Sequence, residues 1–110
     1  MSDRPLTDLR VCFVTVSSED EGMKIARSLV ARKLAACVNL IPSVRSVYRW
    51  KGEVKDDKEL LLVVKTREHL MANVVQTVKE LHSYTVPETI ALPITGGSEA
   101  YLGWLKEETT

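Results

Sequence analysis

Hydrophobic and polar positions alternate, or recur at helical spacing, along nearly the whole chain. Leu9 to Val16 is rich in β-formers (Val11, Phe13, Val14, Val16) and predicts a first strand. Ser18-Glu19-Asp20-Glu21 reads as a capping box, in which the Ser18 hydroxyl accepts from the backbone amide three positions on and Glu21 reaches back. Met23, Ala26, Leu29, Val30 and Leu34 then recur at i, i+3 and i+4, the stripe of an amphipathic helix. Ala35 to Trp50 predicts a long strand, Lys51-Gly52-Glu53 a turn, and Val54 to Lys65 a returning strand. Thr66 is positioned to cap a second helix whose stripe is Leu70, Met71, Val74, Val75, Val78 and Leu81. Thr89 to Ile94 predicts a short strand, held to an edge or a strand end by Pro93, which has no amide to donate. Gly96-Gly97 breaks the chain, and Ser98 opens a terminal helix carrying Tyr101, Leu102, Trp104 and Leu105.

The order is βαββαβ plus a short C-terminal helix, the α+β pattern of ferredoxin-like folds. Two features of it point outward. The first hairpin arm, fully extended, would stretch roughly 50 Å, whereas a domain of this size is about 35 Å across. The tip with Tyr48, Trp50 and Gly52 must therefore overhang, and a second copy of the chain is the simplest cover for it. Leu60-Leu61-Leu62-Val63-Val64 is apolar on both faces, where a strand covered on one side should alternate. Both faces of the sheet should thus be dry, which also predicts assembly through the open face. Pro42 falls inside the first arm and predicts a bulge there.

Composition narrows the partners. The chain has 110 residues, 45% hydrophobic and 27% charged, which suits a single domain over 1–110 with a disordered tail at 1–8. Fifteen basic and fifteen acidic residues cancel, so no net field favours nucleic acid or an anionic membrane. No apolar run approaches the ~18 residues of a membrane span, and the first residues lack a signal-peptide apolar stretch. Cys12 and Cys37 both lie in apolar strands, and two buried thiols fit a reducing, cytoplasmic setting.

Several segments together carry a resemblance. Leu34-Ala35-Ala36-Cys37-Val38-Asn39, Ile41-Pro42, Tyr48-Arg49-Trp50-Lys51-Gly52, Glu59 with Lys65-Thr66, Val86-Pro87-Glu88 and Tyr101-Leu102-Gly103-Trp104-Leu105 resemble the CutA family of divalent-cation tolerance proteins, in order and at matching spacing from about Val11 to Leu105. The resemblance implies a ferredoxin-like protomer in an interlocked homotrimer similar to the nitrogen-regulatory PII proteins. It implies a link to copper and other divalent cations, in animal members to acetylcholinesterase anchoring, and no enzymatic reaction. Some members carry a metal-ligand set of one cysteine and a His-His pair. Here the matching positions are Thr15, Leu81 and His82, with Ser83-Tyr84 where those members have Pro-Tyr and Thr89 where an apolar residue is common. Only His82 of that set remains.

The candidate residues each admit two readings. Cys37 is either a small buried hydrophobe or a soft ligand for Cu²⁺, while Cys12, flanked by Val11 and Phe13, reads as core. No C-x-x-C metal loop occurs. His82, at a helix C-terminus, can satisfy free carbonyls there or join Tyr84 and Glu88 at a cleft, and His69 is expected in solvent. Glu59 and Lys65 sit at opposite ends of an apolar strand, roughly 20 Å apart, so each needs a partner from elsewhere if buried. Lys65 reads equally as a pocket residue or half of an ion pair. Tyr48 and Trp50 read as interface aromatics before ligand stackers.

Cys37, Trp50, Glu59, Lys65, Tyr84 and Glu88 form the candidate ligand-binding set, and His82 the candidate metal ligand. RNA-recognition domains share the βαββαβ order, but the third strand here lacks stacking aromatics. No G-x-S-x-G, H-E-x-x-H or P-loop is present, which disfavours hydrolase and nucleotide chemistry. The remaining alternative is a PII-like small-molecule sensor with ligand clefts between subunits.

Overall fold

The computed structural model describes residues 8–109. The elements are β1 (Leu9–Val16), α1 (Glu19–Ala31), β2 (Cys37–Trp50), β3 (Glu53–Arg67), a 3₁₀ turn (Glu68–Leu70), α2 (Met71–Leu81), β4 (Ile90–Pro93) and α3 (Glu99–Glu108). The four strands form one sheet in the order β2-β3-β1-β4, every pairing antiparallel. This is the ferredoxin-like α+β arrangement expected from the pattern. Of the expected tail at 1–8, residues 1–7 lie outside the described residues. Asp8 itself is fixed, its carboxylate 2.7 Å from Arg67 Nη2 and its carbonyl accepting from Glu68 N.

Strand alternation assigns the two faces. Cys12, Val14 and Val16 on β1 and Leu62 and Val64 on β3 pack with Ile25 and Leu29 of α1 and Val74 and Val78 of α2, all fully buried. Ala26 and Leu29 of the expected α1 stripe are buried, Ile25 joins them, and Val30 is 43% exposed. Gly22 explains how closely α1 lies on the sheet. A Cβ there would stand 3.1 Å from Val16 Cγ2 and 3.3 Å from both Leu40 Cδ2 and Leu62 Cδ2.

The opposite face is apolar and, apart from the end that α3 reaches near Cys37, uncovered within one chain. Ile41 faces Leu61, and Phe13 faces Ile90, in register. Directly opposed residues share a face, so Ile41, Leu61, Phe13 and Ile90 line one open surface on which Ile41 and Ile90 are exposed. The doubly apolar β3 of the sequence is thus a strand with one face in the core and one face largely uncovered in the single chain.

The hairpin closes where Lys51 and Gly52 both take positive φ (50° and 80°), the two-residue turn whose twist matches the strands. Its expected bulge lies between Ile41 and Val44, with Ser43 at φ 63°. The molecule measures 44 × 34 × 23 Å, the long axis being close to the length of fourteen extended residues, about 46 Å.

Two expected boundaries move. Thr66 does not cap α2. It lies inside β3, which runs on to Arg67 because Leu9 and Arg10 of β1 continue the ladder, and its hydroxyl donates to Leu34 O at 2.6 Å. Ser18 accepts from Glu21 N at 3.2 Å as expected, but the Glu21 side chain turns to the far end of α2 rather than back to its own cap. In α3, Leu105 is the buried member, and Thr109 ties the helix end by donating to Leu105 O.

Candidate functional site: an acidic, aromatic cleft

α2 ends at Leu81 because His82 turns extended (φ −89°, ψ 143°) while its amide still donates to Val78 O. The His82 side chain then reaches β1, with Nε2 2.7 Å from Thr15 O. Its other nitrogen, Nδ1, accepts from Tyr84 N at 3.1 Å. One nitrogen facing a carbonyl and the other an amide N–H defines a neutral ring protonated on Nε2. Glu21 of α1 holds the same corner: Oε1 accepts from Ser83 N at 2.9 Å, and Oε2 lies 3.6 Å from His82 Nδ1 without a hydrogen bond of its own.

This corner aims Tyr84. Its ring lies 4.5 Å from that of His82, and its hydroxyl donates to Glu59 Oε2 at 2.7 Å. Burial, then the hydrogen bond and charge of Glu59, push the Tyr84 hydroxyl well above its ordinary pKa. Glu59 lies midway along β3, where the strand enters the body of the fold, and is 6% exposed. Beside it Tyr48 donates to Asp57, a bond that raises its own pKa. Burial, then the Glu59 charge, raises the pKa of Glu88.

Together these side chains line a cleft of about 730 Å³ between the outer half of the hairpin and the segment after α2. Trp50, Glu59, Tyr84 and Glu88 of the expected ligand set meet there, with Thr15 and Tyr48. Cys37 and Lys65 do not. They lie at the other end of β3, where Lys65 Nζ is 3.9 Å from Cys37 Sγ and also bonds Asn39 Oδ1. There burial, then the neighbouring Cys37, raises the Tyr101 hydroxyl. Cys37 is half-buried, so only Cys12 of the two expected buried thiols is enclosed. The role of Glu21 was hidden in the sequence by a motif that explained it locally, and no spacing signal joins it to His82.

A resident divalent cation is a poor fit to one chain. His82 has both ring nitrogens engaged, and Cys37 faces an ammonium group. Among the described residues no three His, Cys, Asp or Glu side chains converge on a common point. No helix among them is long and apolar enough to cross a membrane.

Residues 10–108 match the CutA1 divalent ion tolerance protein family. The chain belongs to this family. It is 52% identical over 99 residues to the divalent-cation tolerance protein CutA of Thermus thermophilus, covering 90% of this chain and 96% of that one. The solved structure of the Thermus thermophilus protein superposes with a TM-score of 0.91 at 51% identity, over 93% of this chain and 99% of that chain. The chloroplastic CutA protein of Arabidopsis thaliana is also 52% identical over 90% of this chain, which spans only 54% of that longer relative. A periplasmic divalent cation tolerance protein CutA from Archaeoglobus fulgidus superposes with a TM-score of 0.89 at 37% identity, over 93% of this chain and 99% of that chain. Family members thus carry chloroplastic and periplasmic names, and membership alone sets no compartment.

Proposed function

We propose that the protein acts as a homotrimeric, non-enzymatic binding or scaffold protein in divalent-cation tolerance, in a reducing compartment such as the cytoplasm. The overhanging hairpin carries this reading. Tyr48 and Trp50 stand about two-fifths exposed on an arm with little of its own chain to rest on, beside a largely uncovered apolar sheet face. Large aromatics left so at a protein surface favour an interface. The free thiols of Cys12 and Cys37 support the reducing setting. Copper and other divalent ions are then met weakly by the assembled protein, without a dedicated site inside one chain. Native mass spectrometry with and without Cu²⁺ tests this. A trimer with little or no retained copper is expected, and a monomer, or one tightly held copper per chain, would overturn it.

The cleft favours a second reading, a sensor that takes a small molecule. A volume of about 730 Å³ falls in the range of ligand pockets, and its polar groups converge from β1, the hairpin and the segment after α2.

A further inference from the structure

Glu59, 6% exposed, is the buried carboxylate of the cleft, and its bond is to a neutral hydroxyl, Tyr84 Oη. None of the ion pairs among the described residues involves Glu59 or Glu88. The one basic side chain lining the cleft, Arg45, is occupied by Asp56, with two bonds of 2.8 and 3.0 Å. A buried carboxylate without a cation is costly, and a second carboxylate nearby adds repulsion. The remaining lining includes the ring of Tyr84, the hairpin aromatics Tyr48 and Trp50, and small polar side chains such as Thr15, Ser83 and Thr85.

Resting on the sensor reading above, we infer that the cleft binds an organic ammonium ion, whose charge is met by Glu59 and Glu88 and whose alkyl body lies against the ring of Tyr84. Aromatic faces attract such cations, and carboxylates accept their N–H groups. An inorganic dication fits less well, because no third hard or imidazole donor converges here. An anion is opposed by Glu59 and Glu88 alike.

The test titrates the assembled wild-type protein at constant ionic strength with putrescine, 1,4-butanediol and succinate, three four-carbon probes that differ in charge. Isothermal calorimetry reads affinity, and the Trp50 indole N–H resonance reports the place. Putrescine should saturate at millimolar concentration or below, with butanediol and succinate weaker by about tenfold or more. Glu88→Gln, an exposed position, should weaken putrescine about fivefold or more, and Tyr84→Phe keeps the test open if Glu59→Gln does not fold. Putrescine no tighter than butanediol, affinity unchanged in Glu88→Gln, or equal competition by Mg²⁺ would overturn the inference. Saturable binding of butanediol or succinate instead would spare the sensor reading while refuting the ammonium ligand. No binding of any probe to a protein of confirmed trimeric mass would overturn both.

Discussion

His82 Nε2 lies 2.7 Å from the carbonyl oxygen of Thr15, joining residues 67 positions apart. That bond fastens the end of α2 to β1 at the floor of the cleft, and Nδ1 passes the constraint on to the backbone of Tyr84. The histidine therefore acts as a strut that fixes where Tyr84 meets Glu59.

Replacing it should cost stability before anything else. His82→Ala leaves the Thr15 carbonyl and Tyr84 amide without partners and opens a void, for a loss of about 2–4 kcal/mol. Denaturant unfolding at fixed protein concentration measures it. His82→Gln, which can still offer a donor toward Thr15, should lose less. Equal stability of wild type and His82→Ala would show that the strut carries nothing.

The hairpin makes a separate prediction about assembly. Trp50 is 40% exposed in the single chain, and in a trimer held by the overhanging arm that surface is buried. Trp50→Ala should then weaken assembly by about 3 kcal/mol or more. Light scattering at low micromolar concentration should show a trimer for wild type and a smaller mass or a broad mixture for the variant. A variant that keeps the full trimeric mass on dilution would remove Trp50 from the interface.

The thiols should differ in reactivity. Cys12 is fully enclosed, and burial, followed by the Glu88 charge, pushes its pKa up to about 12. Almost no thiolate then exists at pH 8, and the group is unreachable as well. Cys37 is half-buried, with the Lys65 ammonium 3.9 Å away. Native labelling followed by peptide mass spectrometry should modify Cys37 first and leave Cys12 untouched until unfolding. Similar rates at the two positions would contradict the burial described for Cys12.

Much of this was legible in the residues, and what was missed has a physical reason. The period-2 and period-3.6 patterns placed every strand and helix, the Pro42 bulge and the Lys51-Gly52 turn, because each is a local preference. Thr66 misled because a threonine before a helical stripe looks like a cap, whereas the continued pairing of Leu9 with Arg67 keeps it in a strand. Local pattern also cannot choose between near-equal helix faces, so Val30 and Val75 were expected inside and are exposed. Of the candidate ligand set, Trp50, Glu59, Tyr84 and Glu88 line one cleft, whereas Cys37 and Lys65 lie apart from it. Strand geometry had already set Lys65 far from Glu59. The Glu21–Ser83 and His82–Thr15 bonds were invisible, since long-range hydrogen bonds leave no periodicity.

Glu88 supplies the pH dependence. Burial, then the charge of Glu59, holds its folded pKa above the ordinary 4.5. The native state therefore binds the proton more tightly than the unfolded chain, so this contribution to stability is complete below pH 4.5 and is lost as pH rises through the folded value. Much of the side chain meets solvent, and screening keeps the effect small. Glu88→Gln should abolish it, so that the variant gains on wild type as pH climbs from about 4 to 7. Urea midpoints across that range, taken on both proteins, give the comparison. A difference that stays flat with pH would mean that Glu88 titrates alike in the folded and unfolded chain. The same measurement with putrescine present should shrink the gap, because a bound cation offsets the repulsion that raises this pKa.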